Sequence, residues 1–391
     1  MTDNFPLITL QPALNSGNAW VALLLEGDHP LDGAMLARVL NGGGLAEVLD
    51  TVACIVLADP ERIDPGLAAG WPRDRVVLRF PVAVGSDPAR HESLAALRDA
   101  GFALMVTGFP AAGETLFSGI ASLAIPCPGS HIPIGLGDWL RKLPGPHLAL
   151  GTTEKVCPGF CKFHWLSGHL AGHAAPTVKS DPTTRSLLLR LLSLVTRDAE
   201  SSDLEALIKR DPSLSYQLLK LVNSVAISPT RKIGNFAQAI VMLGRRQLQR
   251  WLQLLLYARP PGSQTASPLL PRAALRASLM EGLAKRQGLA QDSREQAFMV
   301  GMFSLLEVLF GVPLAEIVAP LNLPEDVVLA LTANGADSGP FGALLAVVVA
   351  SEGPPTPVLA AALDAVGITR EAWLDALTEA LRWAVQVSRE A

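Results

Sequence analysis

The chain has 391 residues, 49% of them hydrophobic and 5% aromatic, with a formal net charge of −4. Length predicts two domains of about 150–200 residues, each with its own core of Leu, Ala and Val. The slight negative charge argues against a general nucleic-acid binder, and the best apolar run, residues 341–350, is about half of what a membrane span needs.

The first residues, Met1 to Phe5, lack the basic and apolar regions of a signal peptide, so a cytoplasmic protein without a membrane span is expected. Cys54, Cys127, Cys157 and Cys161 show no disulfide-framework spacing and are expected to be reduced. From about residue 17 to 165, apolar runs at 20–25, 52–58, 75–80, 102–107, 121–125 and 147–150 alternate with helical patterns at 31–40, 89–100 and 113–120. Most runs are continuous, as in buried parallel strands, and repeated β-then-α order predicts a parallel sheet, open or closed into a barrel. Gly42-Gly43-Gly44 is read as a loop, since no Lys-Ser/Thr follows it as in a phosphate-binding loop.

The texture changes at residues 174–183, which read as a linker or the start of a helix. Beyond it the pattern is helical. Ser202-Asp203-Leu204-Glu205 is a capping box, with Leu204, Leu207 and Ile208 on one face. Further helices are predicted at 236–243, 245–257, 271–286, 293–310, 324–332 and 370–387, with a loop at Pro260-Pro261-Gly262-Ser263. The division is therefore 1–175, α/β, and 176–391, all-α.

Asp211-Pro212-x-Leu214, then Leu218-Leu219-x-Leu221-x-Asn223-Ser224, then Ile233 through Ala239-Ile240 to Leu243-Gly244, resembles the signature of the HDOD domain, a helical relative of HD phosphohydrolases. Residues 297–306 resemble a later segment of the EAL–HDOD two-domain signalling family. The N-terminal half is similar to a degenerate EAL domain, the cyclic di-GMP phosphodiesterase barrel, through Gln11-Pro12, residues 20–25, residues 94–106 with Phe109, and Glu154-Lys155-Val156. The resemblance implies an incomplete TIM-barrel-like domain followed by a helical one.

It also implies lost metal ligands. The His-Asp pair of HD enzymes falls at Ser304-Leu305. The EAL signature Glu falls at Val21, the strand acid near Arg79, the paired aspartates at Thr107-Gly108 and the second Glu of the late motif at Cys157. Glu154 alone survives, and one carboxylate cannot hold the two metals that activate water. A non-catalytic adaptor acting through protein–protein contacts, with no cofactor, no metal and no catalytic residue, is therefore the expectation. Other signalling proteins, including cyclic di-GMP enzymes, or a second copy are the expected partners. Two alternatives stay open: a cyclic di-GMP sensor that does not hydrolyse, with Arg79 favouring an anion, and a phosphodiesterase or HD-type phosphohydrolase.

Asn223, Ser224, Arg245, Arg246 and Arg250 form the candidate interaction surface, against plainer readings as a helix cap and a solvated basic face. Cys157-x3-Cys161-x2-His164, with His169 and His173, is not a standard zinc spacing. The stripe Trp251, Leu252, Leu254, Leu255 reads as core.

Overall fold

The computed structural model describes residues 5–29, 31–41, 45, 48, 52–64, 71, 73–111, 113–127, 135–152, 163–168, 182–209, 214, 236–257, 269–333 and 338–390. The N-terminal half is a closed barrel of eight strands: β1 (Ile8–Leu14), β2 (Trp20–Gly27), β3 (Ala53–Leu57), β4 (Val76–Pro81), β5 (Ala103–Thr107), β6 (Ile120–Pro126), β7 (Leu148–Leu150) and β8 (Trp165–Leu166). β1 runs antiparallel to β2 and β8, and the other neighbours are parallel. A hairpin permits that one reversal. Asn15 Oδ1 accepts from the backbone N–H groups of Gly17 (2.9 Å) and Ala19 (3.0 Å), and Asn18 takes the left-handed conformation that Asn tolerates.

Strand residues alternate between the lumen and the outer layer. Ala13, Ala22, Leu24, Ile55, Val77, Met105, Ala124 and Leu148 fill the lumen as a separate cluster, while Leu23, Leu25, Cys54, Val56, Leu78, Phe80, Leu104 and Val106 join the outer core. Outside the barrel lie α1 (Gly33–Asn41), α2 (Val82–Ser86), α3 (His91–Asp99) and α4 (Leu136–Lys142).

Two expectations are corrected here. The barrel is not incomplete: β1 and the two-residue β8, neither among the six apolar runs, close it through Leu14 and Leu166. It fits a short sequence because strands and connections are short. Residues 113–120 are not a helix. Gly113 has φ 90°, Phe117 N–H is tied to Gly85 O at 2.9 Å, and Ile120 already begins β6.

The helical half comprises α5 (Pro182–Thr196), α6 (Ser201–Ile208), α7 (Phe236–Tyr257), α8 (Leu269–Arg286), α9 (Gln291–Phe303), α10 (Leu306–Phe310), α11 (Leu314–Val318), α12 (Glu325–Thr332), α13 (Gly339–Ala350), α14 (Pro357–Ala365) and α15 (Arg370–Glu390). Gly244, at φ 76° and ψ 155°, breaks α7 between the two helices predicted there. The predicted helix at 293–310 splits at Ser304-Leu305 into α9 and α10. Ser202 is not a cap: α6 starts one residue earlier, after Glu200, with no side-chain capping bond, although Leu204, Leu207 and Ile208 are buried. Leu248, Leu252 and Leu256 form the buried line of α7, with Trp251, Leu254 and Leu255 half-buried beside it. No single helix among the described residues is long and apolar enough to cross a membrane.

α15 joins the two halves. Trp373 is fully buried, and its indole N–H donates to Ile8 O of β1 at 2.8 Å. Arg370 donates to Phe5 O at 2.9 Å and pairs with Asp28 at 3.1 Å, and Glu371 pairs with Arg38 of α1.

Candidate functional site

Catalytic and binding groups of barrels of this kind gather at the C-terminal ends of the parallel strands. Period-two alternation carries the lumen register of β2 through Ala22 and Leu24 to Glu26, and that of β4 from Val77 to Arg79. Glu26 and Arg79 form an ion pair with side chains 13% and 4% exposed. Gln11 Nε2 of β1 donates to the other Glu26 oxygen at 3.2 Å, and Arg79 Nη1 donates to Thr107 Oγ1 at the end of β5 at 3.3 Å. Arg79 Nε is buried with no hydrogen-bond partner among the described residues. The mouth thus holds a polar chain Gln11–Glu26–Arg79–Thr107 over an apolar lumen.

Two of those residues, Arg79 and Thr107, stand where the resemblance expects acids. Glu26 was missed because the first apolar run, 20–25, stops one residue before it. One carboxylate already bound to a guanidinium does not fit a divalent cation, which Arg79 would repel. Among the described residues no group of three or more His, Cys, Asp or Glu could hold a metal. Glu154, Cys157, Cys161, His169 and His173 lie outside the described residues. His164 Nδ1 accepts from the His147 backbone N–H at 3.1 Å. Cys54 and Cys127 are free thiols, pushed by burial up to about 12 and about 11.

A second polar group lies in the helical half. Ser304, where the resemblance places the HD histidine, accepts a bond from Arg276 Nη1 at 2.8 Å. Arg276 and Arg272, one turn apart on α8, both grip the Glu352 carboxylate beyond the end of α13. Burial pushes the Glu352 carboxyl up, but hydrogen bonds and charge from Arg276, then Arg272, outweigh it and hold it at about 2.

The candidate interaction surface is only partly described: Asn223 and Ser224 lie outside the described residues, as do Gly42 to Gly44 and Pro260 to Ser263. Arg245 donates to Ala199 O at 2.6 Å, and Arg246 pairs with Asp292 and Glu295 at 3.2 and 3.1 Å. Arg250 pairs with Glu281 and lies 4.3 Å over the Phe298 ring. Arg246 and Arg250 thus meet acids from α9 and α8, whereas Arg245 turns to the connection between α5 and α6, where it also pairs with Asp198 at 3.7 Å.

The HDOD domain family matches residues 182–312. A cyclic di-GMP phosphodiesterase of Vibrio cholerae, CdgJ, is 31% identical over 185 residues, 47% of this chain and 42% of that protein. The uncharacterized protein YuxH of Bacillus subtilis is 34% identical over 132 residues, 33% of this chain and 32% of its own length. The chain thus spans less than half the length of these curated relatives. The crystal structure of the EAL domain of DcpA from Mycobacterium smegmatis aligns at TM-score 0.35 and 16% identity, over 42% of this chain and 91% of that one. The expectation that the chain is not an enzyme is corrected by these comparisons, because the relative CdgJ is named as a phosphodiesterase. The physical ground for that expectation, a count of missing acids, rested on positions assigned by resemblance and in part outside the described residues. A closed barrel led by an antiparallel strand is thus followed by a match to the HDOD domain family, in a chain similar over 47% of its length to a cyclic di-GMP phosphodiesterase.

Proposed function

We propose that the chain works in cyclic di-GMP signalling, with the barrel mouth contacting the nucleotide and the HDOD half passing the result to other proteins. The division at 175/176 separates the two tasks. One observation carries this reading: β1 belongs to both. Its Gln11 joins the polar chain of the mouth, and its Ile8, three residues away, is bonded to Trp373 of the helical half. A change at the mouth that moves β1 moves a strand to which the helices are bonded. Arg245, Arg246 and Arg250, and in sequence Asn223 and Ser224, are the proposed protein contact.

The charge at the mouth gives the test its sign. A dinucleotide brings two phosphodiester anions, which Arg79 attracts and Glu26 repels. Calorimetry of the full chain with cyclic di-GMP is expected to show binding that Arg79→Ala weakens at least tenfold. Glu26→Gln, which releases the guanidinium from its carboxylate, is expected to tighten it. Product chromatography of the same mixtures, with and without magnesium, reads hydrolysis directly. An unaltered chain that neither binds nor cleaves the dinucleotide would sink the reading, as would indifference to both substitutions in folded protein.

A further inference from the structure

A cleft separates the barrel wall from the helices and meets the mouth chain at Gln11. Its barrel side is Leu10, Pro12, Leu14 and Trp20 with Ser167 and Gly168, and its helical side is α8 with Val348, Glu352 and Leu377. It encloses about 60 Å³ and opens to solvent on one side. Room for a head group is enclosed and the rest of a ligand would lie along the open wall; like small-molecule sites in general, the lining is mostly apolar with a few converging polar groups. The apolar walls need no explanation, because two packed domains supply them. The charge does.

Arg272 and Arg276 both line the cleft, as does Glu352, and their side chains are 16%, 9% and 13% exposed. Two guanidiniums against one carboxylate leave one net positive charge in a largely apolar cavity, where an uncompensated ion is costly. The donors are also unevenly used. All three nitrogens of Arg276 are placed, two lying on Glu352 and Nη1 on Ser304 Oγ. Arg272 spends Nε and Nη2 on Glu352, and its Nη1 makes no hydrogen bond among the described residues. The cleft therefore offers one excess cation, one spare guanidinium donor and an apolar floor.

We infer that this cleft binds a small amphiphilic monoanion, a carboxylate head on an apolar body, with the head at Arg272 and the body against Leu14, Trp20 and Leu279. Such a ligand touches β1 and α8 together and so fastens the barrel to the helices. The cleft shares Gln11 with the mouth chain, but none of its charged groups belongs to that chain, so the tests of the two sites are separate.

Sodium octanoate and octan-1-ol, titrated calorimetrically into the full chain, separate the charge from the apolar body. Octanoate is expected to bind one to one, and the alcohol at least tenfold more weakly. Arg272→Gln, which leaves the Arg276–Glu352 pair in place, is expected to weaken octanoate at least tenfold and the alcohol hardly at all. Equal affinity for acid and alcohol, or no octanoate heat at millimolar concentration, would overturn the site. Both outcomes are read on the unaltered protein, so the test survives an unstable variant.

Discussion

His147 shows what a single buried residue contributes. It is 1% exposed, its Nδ1 accepts from the Leu123 N–H at 3.2 Å, and its Nε2 lies 3.1 Å from Leu140 O. Only the neutral ring protonated at Nε2 satisfies both contacts. Burial, first of all, lowers its pKa below the ordinary 6.5, and neighbouring His164 pushes the same way. The sign follows. Above pH 6.5 the ring is neutral in both states. Below it the unfolded chain takes up a proton that the folded chain refuses, so stability falls as pH drops toward the folded value. One such group accounts for a slope of up to about 1.4 kcal/mol per pH unit. Urea melts at pH 7.5, 6.5 and 5.5 are expected to show that loss in the unaltered chain and to lack its share in His147→Gln. An equal slope in the variant would remove His147 as the cause.

At the scale of elements, the meeting of α8 and α9 depends on one missing side chain. A Cβ on Gly301 would lie 2.6 Å from both Ala277 Cα and Arg276 O. Those are backbone atoms, which cannot swing aside, so the helices would have to part. Gly301→Ala is expected to destabilise by about 1–3 kcal/mol, the usual cost of overpacking a core, despite the better helix propensity of Ala. A thermal midpoint unchanged or raised would show that the helices separate freely. Much at this scale was legible beforehand. The strands at β2 to β7 and the two-part α7 follow from apolar runs and from Gly244. What escaped has physical causes. β1 and the two-residue β8 are too short or too mixed to stand out from neighbouring sequence. Glu26 was lost because a charged residue looks like the end of a strand, although its place two residues beyond Leu24 puts it in the lumen. Glu352 lies 76 and 80 residues from Arg276 and Arg272 along the chain, and no local pattern brings it to them.

For the whole molecule, the question is whether barrel and helices behave as one body. The joint is chemically specific: a buried indole N–H on a strand carbonyl, two arginine contacts and the Arg38–Glu371 pair. The exposed ion pair contributes little in water. The indole bond matters more, because Trp373→Phe keeps an apolar ring in the same space yet strands the Ile8 carbonyl without its donor. Leaving a buried acceptor unsatisfied costs about 1–3 kcal/mol. If β1 is shared by both halves, that loss must be felt on each side of it. Hydrogen exchange of Trp373→Phe is therefore expected to speed up in α15 and, together with it, in β1 and β2, whose amides pair across Ile8↔Gly27 to Leu14↔Trp20. Faster exchange confined to α15 would mean that the helices hold the barrel only loosely, and β1 could not then carry a signal from the mouth.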